Sequence, residues 1–144
     1  MRLTSSREES GMDPSAAPTT HHEFASVDEV PVLELMAGIQ ARPVHGERIT
    51  LAVVELEPGL RMAEHRHPNE QVGIVLRGEF TFTVGGETRV RRTGDSWVIP
   101  PQVPHAVETT GAAGCTVIET FSPPRADWSD IPRGAPAPGM WPPR

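Results

Sequence analysis

Between Val30 and Phe121, glycines and prolines recur as regular turn signals, and the segments between them favour β-branched and aromatic residues, which argues for β-rich structure rather than a helical bundle. That spacing constrains the fold more than any other feature of the chain. The clearest segment is Phe80-Thr-Phe-Thr-Val84, in which Phe80, Phe82 and Val84 share one face and Thr81 and Thr83 the other, the period-two signature of a half-buried strand. Gly85-Gly86 then supplies the positive φ that a two-residue hairpin turn requires, and Glu87 to Arg92 returns.

The same reading predicts short strands at Val32 to Leu35 and Val44 to Arg48 around a turn at Gly38, and a longer one from Ile49 to Glu57, closed by Pro58-Gly59. Gln71 to Leu76 is a strand that Arg77-Gly78-Glu79 turns into Phe80 to Val84. Trp97 to Ile99, His105 to Glu108 and, after a turn at Gly111 to Gly114, Cys115 to Phe121 complete the set. No helical period competes, so the fold class is all-β, a barrel or double-sheet sandwich. With 144 residues the chain is one domain, able to bury a core without cross-links.

Residues 1–26 lack apolar periodicity and are expected to form a flexible tail, with His21 and His22 as ordinary tail residues. Residues 27–122 hold the barrel. Residues 123–144 contain seven prolines, which argues against helix or central strand there. Trp128, Ile131, Met140 and Trp141 offer apolar clips onto the barrel or onto a second subunit, with a loose end as the alternative.

Composition narrows the chemistry. A net charge of −6 without a basic block argues against nucleic acid or an anionic membrane surface as partner. All thirteen basic residues are arginine, so Schiff-base and pyridoxal chemistry, which need a lysine amine, are excluded. The single Cys115 has no disulfide partner and reads as a buried strand thiol rather than a nucleophile. No apolar run has the length of a membrane span and no hydrophobic signal core is present, so the default compartment is the cytoplasm.

The chemistry-bearing stretch is Gly59 to Gly78. His65 and His67, one residue apart, point to the same face of an extended segment, which is how a strand offers two imidazoles to one metal. His105, after the turn-rich Gly94 to Pro104 segment, is the third candidate ligand. On the last strand Cys115, Val117, Glu119 and Phe121 share a face. If that face is the interior, Glu119 is a buried carboxylate near the metal, suited to moving a proton. Its alternative is a structural pair with Arg89 or Arg91. Those two arginines either grip a substrate carboxylate or solvate an edge strand, and Phe121 is a further candidate substrate contact.

The spacing Gly59, His65, His67, Gln71, Gly78 resembles the first motif of the cupin family, and Gly94, Pro100, His105 resembles the second. The likeness covers residues 28 to 126. Within the family it is similar to the small single-domain cupins that linearise unsaturated uronates, on His-Pro-Asn-Glu-Gln-Val-Gly at 67 to 73, Val-Gly-Gly-Glu-Thr-Arg-Val at 84 to 90 and Phe-Ser-Pro-Pro-Arg at 121 to 125. The resemblance implies a jelly-roll β-barrel and one divalent transition metal, Zn, Ni, Fe or Mn, held by His65, His67, Gln71 and His105. Gln71 stands where many cupins carry glutamate, and neighbouring Glu70 is expected to be a solvated turn residue. Gln102 stands at a customary glycine and Thr109 at a customary asparagine. Related enzymes place an acid where Glu119 stands, and such cupins commonly form homodimers.

Three activities follow as expectations. The first is a non-oxidative isomerase, lyase or cyclase acting on a small oxygenated anion such as an unsaturated uronate. The second is a dioxygenase with the same ligands, and the third a sugar-binding module without chemistry.

Overall fold

A computed structural model describes residues 23–144, so His21, His22 and most of the expected N-terminal tail lie outside the described residues. Nine strands account for the architecture: β1 (Val32–Met36), β2 (Ile39–His45), β3 (Thr50–Leu56), β4 (Met62–His65), β5 (Glu70–Val84), β6 (Glu87–Arg92), β7 (Ser96–Ile99), β8 (His105–Ser122) and β9 (Arg133–Gly134). Helical structure among the described residues is limited to two short 3-10 turns, Val27–Glu29 and Ala126–Asp130. The fold is an all-β jelly-roll barrel.

The barrel is built around β5 and β8, which pair antiparallel from Glu70 opposite Ser122 to Val84 opposite His105. The path β6-β5-β8-β3-β2-β1-β9 carries the sheet round, while β7 pairs with the first half of β5 and β4 with the first half of β8. Each long strand therefore serves both walls. The inward residues Val75, Phe80, Phe82, Val117 and Phe121 meet Ala52, Val54, Trp97 and Ile99 in one core. Phe80, Phe82 and Trp97 pack edge-on or tilted at 4.9 to 5.6 Å between ring centres, geometry that adds to the stabilisation from burial.

Three boundaries differ from the sequence reading. Leu76 to Phe80 is not a turn: β5 runs through it with register shifts between Val75 and Arg77 and between Gly78 and Phe80, so the strand bends instead of reversing. Gly111 to Gly114 likewise fails to interrupt β8, because β5 pairs with the chain on both sides of it. The second strand is Ile39–His45 and not Val44 to Arg48. Pro43 is tolerated inside it because the pairing with β1 ends at Ala41, leaving β2 an edge from there on.

The C-terminal segment is neither loose nor free of helix. Pro124 is followed by the 3-10 turn that buries Trp128 against Phe121, with 5.2 Å between ring centres. The chain then adds β9 to the edge of β1. Beyond it, Ala137 O accepts from Arg42 Nε at 3.1 Å, and Glu55 Oε1 accepts from the backbone of Met140 and Trp141 at 2.5 and 3.1 Å. Arg42, 3% exposed, lies 3.6 Å from Glu55. The tail is a strap laid over the outside of β2 and β3.

Candidate metal centre

His65 ends β4, His67 follows it in the loop, and His105 begins β8 opposite His65. Their candidate ligand atoms all lie within 4.8 Å of one another. In each ring Nδ1 faces a backbone carbonyl: Ala63 O at 3.2 Å, Asn69 O at 3.0 Å and Val103 O at 2.9 Å for His65, His67 and His105. A carbonyl only accepts, so Nδ1 carries the proton and, in the neutral ring, Nε2 is a lone pair. Burial, opposed by the Asn69 and Gln71 contacts, holds His67 below the usual imidazole range. Burial likewise holds His105 down to about 4. Both rings are therefore neutral at pH 7, the form in which imidazole ligates a metal.

Two features of the donor set fit a cation. His105 Nε2 is buried without a hydrogen-bond partner. His67 Nε2 lies 3.0 Å from Gln71 Oε1, while Gln71 Nε2 donates to Glu119 Oε1 at 2.7 Å. With Nδ1 of His67 committed to Asn69, that 3.0 Å contact sets two acceptors face to face. A positive ion between them removes the conflict. The loop geometry is set by Asn69, which is buried and donates through Nδ2 to Pro123 O at 2.6 Å, tying the histidine loop to the start of the strap.

Gln71, the first inward residue of β5, thus touches both the imidazole cluster and Glu119. Glu70 is exposed, as expected, but it opens β5 opposite Ser122 and is not a turn residue. Glu119 keeps partial contact with solvent through the cavity, but its carboxyl is surrounded by protein. Burial pushes it up to about 7, against the opposing influence of the Arg125 guanidinium and the Gln71 hydrogen bond. It does not pair with Arg89 or Arg91.

Those two arginines stand apart from the histidine cavity. Arg89 pairs with Glu87 at 2.5 Å, and both arginines line a separate cleft with Ser96, Trp97 and Val98. Phe82 borders that cleft on one side and the histidine cavity on the other, with its ring centre 6.1 Å from that of His105. Arg89 and Arg91 thus lie on the edge strand, with Phe82 between them and the histidine cavity.

The cation that does reach the cavity is Arg125, from the proline-rich C-terminal segment. Its guanidinium stacks 4.9 Å from the Phe121 ring and 4.7 Å from that of Trp128. Asp127 accepts from its Nε and Nη2 at 3.0 and 2.8 Å. That pairing leaves the Nη1 edge for an anion. The signal for it was its place at the end of Phe-Ser-Pro-Pro-Arg, immediately after a rigid proline pair. Phe121 lies 5.8 Å from the His67 ring and forms cavity wall. The cavity itself measures about 270 Å³.

A cupin-domain family model matches residues 52–121. The pectin degradation protein KdgF of Dickeya dadantii (strain 3937) is 31% identical over 103 residues, 70% of this chain and 93% of the relative. This chain belongs to the cupin family. Among solved structures, KdgF from Halomonas sp. superposes with a TM-score of 0.68 at 28% identity, covering 74% of this chain and 98% of that one. An RmlC-like cupin from Shewanella frigidimarina NCIMB 400 gives the same TM-score at 27% identity, covering 75% and 96%. The histidine cluster makes this a metal-binding cupin. No helix among the described residues is long and apolar enough to cross a membrane.

Proposed function

We propose that this cupin is a metal-dependent, non-oxidative enzyme that isomerises, opens or eliminates across a small oxygenated anion, with His65, His67, His105 and Gln71 as ligands. The observation that carries the reading is the Gln71 amide, whose oxygen faces the His67 imidazole while its nitrogen donates to Glu119. A divalent ion among four neutral ligands would keep its full charge and act as a Lewis acid on a carbonyl or enol oxygen.

The chain's own residues supply the rest. Arg125 binds a carboxylate through its free edge, and the Phe121 and Trp128 rings fix the plane of the guanidinium. Glu119 gives or takes the proton that tautomerisation requires, at a carboxyl oriented by Gln71. Unsaturated uronates belong to the class of oxygenated anions such a site accepts, and KdgF's name, with its link to pectin degradation, brings them forward as the first test.

An anaerobic proton NMR time course of the metal-loaded protein with an unsaturated uronate tests the reading. Conversion is expected without oxygen, and its loss both after chelation and in Gln71→Ala. Undiminished turnover by that variant, or turnover that starts only when oxygen is admitted, would sink it.

A further inference from the structure

The cavity changes character along its length, and the strand register shows where. Phe121 on β8 lies opposite Thr50 on β3, and Cys115 lies opposite Leu56, so the two ends are six residues, or about 20 Å, apart. Every ionisable or amide side chain lining the cavity sits toward the Phe121 end: His65, His105, Gln71, Glu119, Arg125 and Asp127. Beyond Glu119 the walls are Leu35, Met36, Ile39, Leu56, Met62 and Val117. No serine, threonine or asparagine is among the described residues that line it.

Ile39, Leu56 and Val117 are buried in the core, whereas Met36 is 38% exposed and Leu35, Met62 and Ile131 are only half-buried. They present an accessible apolar surface, and the methionines are unbranched and adaptable enough to fit a variable body. A sugar acid with its carboxylate on Arg125 would press its remaining hydroxyls against these groups. Each hydroxyl left without a partner there lowers affinity roughly ten-fold.

We infer that the preferred substrate is an amphipathic anion, an oxygenated carboxylate head joined to an apolar body such as a ring or a branched chain, bound ahead of the uronates that the same polar end admits less tightly. The head sits at the polar end, as the reading above requires and on which this inference rests. The body lies along Leu35, Met36 and Met62.

Calorimetric titration of the zinc-loaded and the chelated protein with pyruvate, 4-methyl-2-oxopentanoate, phenylpyruvate and galacturonate separates the two readings. The expected result is zinc-dependent binding that tightens roughly four-fold per buried methylene. That places 4-methyl-2-oxopentanoate about 50-fold below pyruvate in Kd, with galacturonate no tighter than pyruvate. Met36→Ser and Met62→Ser should weaken phenylpyruvate more than pyruvate. Zinc-dependent pyruvate binding that gains nothing from a tail, or a preference for galacturonate, overturns the inference and leaves the polar end standing. Equal behaviour of zinc-loaded and chelated protein overturns both.

Discussion

Side chains at the centre are set by backbone they do not share. Three carbonyls, from Ala63, Asn69 and Val103, fix which nitrogen of each imidazole is free, and Gln71 takes its orientation from Glu119. Cys115 shows the opposite case, a chemically capable group made inert by its surroundings. It is fully buried on the inward face of β8, and burial pushes its thiol up to about 12 from an ordinary 9.0, with Arg77 acting the other way. A raised pKa keeps the folded thiol protonated where the unfolded chain has lost its proton, so this group's contribution to stability is complete below about 9 and declines as pH rises toward about 12. At pH 8 the native protein should not react with a disulfide reagent, whereas the urea-unfolded chain should release one equivalent. Rapid labelling of the native state would show that β8 opens locally.

At the scale of elements, β5 and β8 hold the barrel together, and the bend that lets them do so depends on Gly78. Its φ is +77°, a conformation that L side chains rarely adopt. An added Cβ would also meet the carbonyl oxygen of Gly114 on β8, which is backbone and cannot swing aside. Gly78→Ala is therefore expected to cost about 3 kcal/mol, read as a lowered urea midpoint with unchanged slope. A loss below about 1 kcal/mol would show that the two strands separate at this bulge without resistance. The sequence marked this position correctly as special and misjudged what it does. A glycine between two strand-like runs reads as a reversal, and only the pairing of both runs with the same partner reveals a bend. The same ambiguity explains Gly111 to Gly114.

Over the whole molecule, the strap couples the outside of the barrel to the cavity. Residues 123 to 134 carry Arg125, Trp128 and Ile131 to the cavity wall, and the remainder is fastened to Arg42 and Glu55 on the opposite surface of the sheet. Removing one member of that pair leaves a buried guanidinium without its carboxylate. Glu55→Ala is expected to cost about 3 kcal/mol, and to expose the chain after Pro132 to limited proteolysis. The double substitution Arg42→Met with Glu55→Met should lose less, since no buried charge is stranded. Equal losses in both would mean that the backbone contacts of Met140 and Trp141, not the charge pair, hold the strap. The sequence by itself determined the all-β class, the alternation of Phe80 to Val84 and the convergence of His65, His67 and His105, because strand periodicity and motif spacing are local properties. It also put Glu119 on one face with Cys115, Val117 and Phe121, and the structure made that face the interior. The tertiary structure alone decided that Arg125 and not Arg89 or Arg91 faces the histidines, that two apparent turns are bends, and that a proline-rich end packs as a strap. Those outcomes depend on which strands become neighbours and which side of Phe82 a guanidinium falls on, and no local pattern encodes a neighbour that is distant in the chain.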